Sequence, residues 1–412
     1  MNASKLRTVF SRNNPTLTKL GFGLYWLALF VATLAVAPSA QAAIDCTDNT
    51  ITANVVVLDN PTVFNRLGAQ NPNWITYALK RDVIAVDPVT RLPTGDVPGT
   101  NLTAGNVELR PDKRTRPLVI RSVAGSCLTV TFTNLLAPIA NPNNAQQGEV
   151  IDPITGAVIF PGLINNDQVA GRCAGFHATG TELVNGMEDD GSMVGANPGA
   201  NTGDSTTGAA VCGPGMAEPG GSRTYELYTP HEGAFLINSY GATLGSEASG
   251  GNLGLGMFGA LNVQPVGSRM YRSQVTEEEL RLATIGLTAT DCAPGDVVGV
   301  DCNPGGQPII NYEAVYPNVP PWIAEGKAGL PILNMLDGNE LVHSDINAII
   351  AGPGHDGTWG TADDGSFPAS TYPLESVGKR IPQLPNRLEP FREFTSIFHD
   401  EQTNSQVFTL WY

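Results

Sequence analysis

Runs long enough for extended helices are missing from this 412-residue chain, because 46 glycines and 31 prolines interrupt it too often. That excludes an architecture built on long helices. With the Val/Thr/Ile-rich runs lying between the breaks, it predicts an all-β protein of short strands and many loops. Basic residues are also few, 23 Lys and Arg against 39 Asp and Glu, for a formal net charge of -16. An acidic surface of that size repels nucleic acid and anionic lipid and gathers cations, so nucleic acid is excluded as a partner. No pair of cysteines stands in a CxxC pattern, which leaves a structural zinc site or thioredoxin-type chemistry without support. No serine or cysteine nucleophile constellation stands out, and no phosphate-binding glycine motif follows a strand. Histidine is scarcest in its consequences, with five in all, at 177, 231, 343, 355 and 399.

Long apolar runs are confined to the start. Residues 24–37 follow a basic stretch (Lys5, Arg7, Arg12, Lys19) and precede Ala40-Gln41-Ala42. This pattern reads as an export signal over residues 1–42, cleaved so that the mature chain starts at Ala43. A retained anchor is the alternative, but the run is short for a membrane span. Removing four cations and no acid moves the formal charge from -16 to -20. The expected location is secreted, periplasmic or cell-surface, with no membrane span after cleavage. In such a compartment six cysteines read as disulfides. The expected pairs are Cys46 with Cys127, Cys173 with Cys212 and Cys292 with Cys302, each closing a plausible loop, while the even count is compatible with other connectivities.

The chain is organised around residues 223–276: an alternating run, a His231-Glu232-Gly233 turn, an apolar run at 234–237, a glycine-dense bend over 245–256, and a second apolar run at 257–263. It reads as strand, turn, strand, glycine loop, strand. Residues 51–59 have the β-branched density of a buried first strand. Residues 74–79 read as a short strand or a helical turn. Residues 116–134 read as two strands joined by a tight turn at Gly125, with Leu128, Val130 and Phe132 on one face, a hairpin unit of a β-sandwich. Residues 137–171 and 185–222, rich in Asn, Gly, Pro and Asp, read as long surface insertions. Between them, 173–183 reads as a strand carrying His177. Residues 275–284, with three consecutive glutamates, are the best helix candidate of the mature chain. Strands are expected at 309–315, 331–336, 393–398 and 406–412. The expected division is a signal at 1–42, a sandwich domain at 43–267, a connecting region at 268–388, and the start of a second sandwich at 389–412 with no room to finish.

The segments RPLVIRSVAGSCLTVTFTN, GFHATG, EGAFLINSYG and LGMFGALNVQP occur in that order and at a spacing that resembles the first plastocyanin-like (cupredoxin) domain of multicopper oxidases. The continuation through SRMYRSQVT, INYEAVYP, LVHSDINAII and REFTSIFHDE resembles the large bacterial members that include manganese-oxidising enzymes. The likeness covers roughly residues 105 to 136, 173 to 184 and 223 to 412. It implies a cupredoxin-like Greek-key sandwich, copper as cofactor, a metal ion such as Mn(II) or a phenol as electron donor, and dioxygen as acceptor. Imidazole and thiolate suit copper because both hold its two oxidation states with little rearrangement. Carried over by position, the family's His-x-His-Gly motif stands here as His177-Ala178-Thr179-Gly180, and its His-Ser-His motif as Asn238-Ser239-Tyr240. One imidazole of the four remains. No cysteine has a neighbouring histidine, and five histidines cannot supply the ten imidazoles of the full copper set. The expectation is a frame of this family that is not catalytic by itself. A non-catalytic cupredoxin-like module for binding or surface assembly is the alternative.

Among single residues, His177 is the candidate copper ligand, its alternative being a core histidine bonded to a carbonyl. His231 reads as a surface residue, and His343 and His399 as strand-edge residues. Asp356, Asp363 and Asp364 offer carboxylates that would suit Ca²⁺, but the spacing of a calcium loop is incomplete and a solvated turn accounts for them better. Glu188, Asp189 and Asp190 read the same way, with an acidic entry path for Mn(II) as the functional alternative.

Overall fold

The computed structural model describes residues 44, 46, 49–63, 69–71, 74–138, 150–151, 158–160, 173–191, 212, 215–239, 251–286, 309–317, 327–353, 390–398 and 407–408. The chain divides into two compact units, 1–44 and 45–412, and the second holds all the elements described here. Among the described residues no helix is long and apolar enough to cross a membrane.

The strands of the main sheets are β1 (Thr50–Asp59), β2 (Ile75–Leu79), β3 (Leu118–Val123), β4 (Ser126–Asn134), β5 (His177–Ala178), β6 (Glu182–Leu183), β7 (Ser222–Thr229), β8 (Gly233–Asn238), β9 (Phe258–Gln264), β10 (Arg269–Arg272), β11 (Leu336–Asp337), β12 (Glu340–Leu341), β13 (Asn347–Ala351) and β14 (Phe391–Phe394). The first sheet runs β6-β7-β4-β1-β12-β11, with β2 antiparallel to β1. The second runs β5-β8-β9-β3, and a third is β10-β13-β14. Three of the pairings, β1 with β4, β1 with β12 and β9 with β3, are parallel. The all-β class expected from composition is what the chain forms.

The first two sheets share one core. Leu128, Val130 and Phe132 of β4 are fully buried, and they pack in one cluster with Val55 and Val57 of β1, Ile120 of β3, Ile237 of β8, and Leu261 and Val263 of β9. Removing such side chains from water is the main stabilising term, about 1.5–3 kcal/mol for each one fully buried. At the centre, Tyr77, Phe132, Tyr225 and Phe176 form a closed ring of neighbours, each successive pair of centroids 6.1 to 6.2 Å apart. The phenols keep their hydrogen bonds there, Tyr225 Oη–H donating to the Gly215 carbonyl at 2.8 Å and Tyr77 Oη–H to that of Gly175 at 2.5 Å. Burial pushes both phenol pKa values up, for Tyr77 with a further contribution from Tyr225.

The expected hairpin at 116–134 is corrected by this topology. β3 and β4 are joined tightly, but they belong to opposite sheets, so the turn is an arch across the core. The turn's own amides show why. Ala124 N–H donates to Gln264 O in one sheet, and Gly125 N–H to Thr229 O in the other. Gly125 sits at φ +78, where a residue with a Cβ is strained. Thr229 Oγ1 bonds the carbonyls of Val123 and Ser126, tying both arms of the arch. The expected strand at 173–183 is split likewise: β5 joins the second sheet, β6 the first, and Gly180 at φ +75 makes the bend.

Residues 75–79 form a strand, followed by a 3-10 turn over Lys80–Asp82. The expected helix is present as α1 (Glu277–Ala283), started by a capping box in which Thr276 and Glu279 satisfy each other's backbone amides. Residues 309–315 and 331–336 are less regular than expected. Strand character is limited to Ile309–Ile310 and Leu336–Asp337, with isolated bridges of Val315 to Pro331 and of Asn334 to Tyr271, because 311–313 turns back on itself through Asn311. The final expected strand is seen as Val407–Phe408, paired with Ala69–Asn71.

Two of the expected disulfides are formed, Cys46–Cys127 and Cys173–Cys212. Cys292 and Cys302 lie outside the described residues, as do the signal segment 1–42, most of the insertions, Tyr240, His355, His399, Asp356, Asp363 and Asp364.

Candidate functional site

His177 opens β5 and stands directly opposite Asn238 of β8 in the antiparallel register. His177-Ala178 and Ile237-Asn238 are therefore neighbours in one sheet. Behind them the chain is tightly placed. A Cβ at Gly191 would fall 2.3 Å from the Phe176 carbonyl oxygen, and only glycine lets the 187–191 turn approach the strand this closely. That approach brings Asp190 Oδ1 to 2.5 Å from His177 Nδ1, both side chains about a quarter exposed. Asp189 is buried and accepts the Asn185 amide N–H at 2.8 Å. Asp189 and Asp190 are thus not a solvated turn: the first carboxylate closes its own loop and the second orients an imidazole. Proximity across thirteen residues depends on Gly191, whose role no local pattern announces.

An open pocket of about 380 Å³ lies over this pair, lined by Phe176, His177, Thr179, Leu183, Asp190 and Leu227 among others. Of the residues standing where imidazoles would be, Thr179 is used structurally. Leu236 N–H donates to Thr179 Oγ1 at 3.0 Å, and Thr179 N–H to the Leu236 carbonyl at 2.9 Å. Asn238 is 3% exposed, and its Oδ1 has no hydrogen-bond partner among the described residues.

The resemblance implies copper, so the donor set was compared with that ion. Among the described residues no three His, Cys, Asp or Glu side chains converge as a metal group. Cys46, Cys127, Cys173 and Cys212 are oxidised to disulfides and offer no thiolate. The described residues do not fit a copper centre of the kind that family uses, and no redox step is derived from them.

The other described histidines separate clearly. His231 is exposed on the turn before β8, as expected. His343 is not at a strand edge but buried, its Nε2–H donating to the Pro331 carbonyl at 2.8 Å. Burial, then the Arg272 guanidinium, hold its pKa down at about 3, so it is neutral. An unfolded histidine titrates near 6.5, so below that pH the unfolded chain takes up a proton that the folded one refuses. Stability is therefore full above pH 6.5 and is lost as pH falls toward 3, at up to about 1.4 kcal/mol per pH unit from this one group. Urea unfolding from pH 7 to 4 checks this. His343→Gln, which keeps a donor for Pro331, should flatten the slope, and an unchanged slope would count against it.

His343 sits beside a buried ionic seam. Arg272 pairs with Asp345 at 3.1 Å and Glu279 at 3.0 Å, and Tyr316 Oη–H donates to Glu279. Burial works against the Glu279 carboxylate, but Arg272, the Tyr316 hydroxyl and the Thr276 N–H outweigh it, leaving a pKa of about 2. Arg121, 1% exposed on β3, meets Glu393 of β14 at 2.9 Å and reaches the Asp345 and Ile346 carbonyls. No local pattern marks either pair, because Arg121 and Glu393, and Arg272 and Asp345, stand far apart in the chain.

The fold and site together define a two-sheet, arch-connected β-sandwich with an oriented histidine in a shallow pocket. No protein-family model and no curated protein matches the chain. Solved structures that it is similar to include a multi-copper oxidase from Pseudomonas thermotolerans, at 16% identity and TM-score 0.25, with 52% of this chain and 30% of that one covered. Another is the multicopper oxidase mgLAC, at 11% identity and TM-score 0.26, with 57% and 43% covered. A third is Lac15 from a marine microbial metagenome, at 14% identity and TM-score 0.21, with 53% and 32% covered. The match thus spans less than half the length of each of these solved proteins. At such scores the likeness adds no weight, and the all-β class rests on the strand order itself.

Proposed function

We propose that residues 43–267 are the cupredoxin-like sandwich of an exported protein of the multicopper-oxidase kind, in which the described residues supply the frame and not the copper ligands. The whole protein would oxidise a metal ion such as Mn(II), or a phenol, at the expense of dioxygen. The observation that carries this reading is the register of His177 against Asn238, which sets side by side the two segments that resemble the family's first two copper motifs. Two disulfides favour an oxidising compartment and so support export.

The test is to load the purified chain with copper, dialyse it, and measure both metal per chain and dioxygen uptake with Mn(II) and with a substituted phenol. Substoichiometric copper and no uptake above the buffer control are expected. One or more tightly held coppers per chain together with dioxygen-dependent turnover would sink the proposal. A second reading, a non-catalytic module for binding or surface assembly, is favoured by Thr179, which stands in a ligand position and is committed to the Leu236 backbone. Sequencing beyond codon 412 separates the two: an in-frame His-Cys-His segment favours the oxidase reading, and a stop codon favours the module.

A further inference from the structure

The acidic character of this chain reverses at one place. Four of its 23 basic residues, Arg110, Lys113, Arg114 and Arg116, fall within seven positions just before β3. Three of them, Lys113, Arg114 and Arg116, line a small cavity of about 20 Å³ together with Tyr77, Asp82 and Ser344 among others. Among these lining residues three cations face one carboxylate. That carboxylate is already engaged, Asp82 lying 3.0 Å from Lys113 and 3.9 Å from the buried Arg110. Arg116 is only loosely held, 4.0 Å from an Asp345 that Arg272 also claims. Arg114 is exposed and makes no ion pair among the described residues. Ser344 is 5% exposed and lines the cavity. Guanidinium without a full complement of carboxylates, beside the Ser344 hydroxyl, is a donor array that an acceptor would complete.

We propose that this notch binds a carboxylate, and specifically the glutamate side chain of an acidic peptide segment, with Arg114, Arg116 and Ser344 as its donors. A guanidinium fork matches two coplanar oxygens, as a carboxylate presents them. The space admits little more than one or two oxygen-sized atoms, so the rest of the ligand lies outside it, which fits the end of a side chain on a larger partner. At physiological salt, charges more than about 8 Å away are largely screened, so the acidity of the remaining surface does not prevent the local contact.

The experiment is fluorescence anisotropy of a labelled hexaglutamate peptide with the full purified chain at constant ionic strength, with acetate and phosphate as competitors. Saturable binding is expected, displaced by acetate at lower concentration than by phosphate. Arg114→Ala should weaken it about tenfold and Ser344→Ala about threefold, as for loss of charge-assisted hydrogen bonds, with Arg114→Lys recovering part. Arg91→Ala, which removes a surface arginine elsewhere, should leave it unchanged. Unaltered melting midpoints establish that the variants fold. Absence of saturable binding, equal loss in the Arg114→Ala and Arg91→Ala variants, or stronger competition by phosphate than by acetate would each overturn the assignment. None of these outcomes bears on copper content, so this site and the proposed oxidase frame stand or fall separately.

Discussion

Replacing Glu393 by alanine is expected to lower the free energy of unfolding by about 3–5 kcal/mol, the range for leaving one member of a buried ion pair uncompensated. The carboxylate accepts from Arg121 Nε at 2.9 Å, Asn262 Nδ2 at 2.7 Å and Gln264 Nε2 at 2.6 Å. Its loss leaves three donors short of an acceptor on the outer side of β3 and β9. Arg121 keeps the Asp345 and Ile346 carbonyls, but these carry no full charge to offset the guanidinium. Burial already pulls its pKa down against the pull of Glu393 in the other direction. Glu393→Gln, which preserves one acceptor, should cost less. Arg121→Met combined with Glu393→Leu should cost less than Glu393→Ala alone, because no charge is then stranded. Urea unfolding at pH 7 decides it, and a loss below about 1 kcal/mol for Glu393→Ala would show that the seam is solvated rather than buried.

The second large effect concerns the crosslink between Cys46 and Cys127. It closes a loop of 81 residues and anchors the chain ahead of β1 to the start of β4. On the chain-entropy account, removing it by Cys46→Ser with Cys127→Ala should cost about 4–5 kcal/mol. Alanine is the right replacement at 127, because that side chain is 1% exposed and a hydroxyl there would lack water. The Cys173–Cys212 bridge spans 39 residues, and the same logarithm makes it worth about 0.6 kcal/mol less. Calorimetry on the two double variants checks the order. If the shorter loop proves the costlier to open, local packing around Phe176 and not chain entropy sets the effect.

Much of the frame was legible because it depends on local pattern. The alternation of Leu128, Val130 and Phe132 marked the core face of β4, and the Glu277-Glu278-Glu279 run marked α1. The arch at Ala124-Gly125 was not legible, since the residues that make a tight turn are the same whether its arms pair with each other or with different neighbours. What separates the two cases is Gln264 and Thr229, distant in the chain. The site shows the same limit. His177 and Asn238 could be placed by resemblance, but the hold of Asp190 on the imidazole depends on Gly191 packing against the Phe176 backbone. His343 reads as a strand-edge residue because a short polar run surrounds it, whereas it is buried against the Pro331 carbonyl. Arg121 carries no local mark of its partners, which lie more than 200 residues further along at Asp345 and Glu393.

Thr52 of β1 donates its amide hydrogen to Asn339, 287 residues away, where β12 comes alongside. A ribosome releases residues in order, so at about 5–20 residues per second the opening half of β1 waits some 15–60 s for that neighbour to exist. During that interval its unpaired amides are a template for strands of other nascent chains. Translation and folding on the same timetable would therefore expose this strand, whereas a chain held unfolded until synthesis is over meets both neighbours of β1 at once.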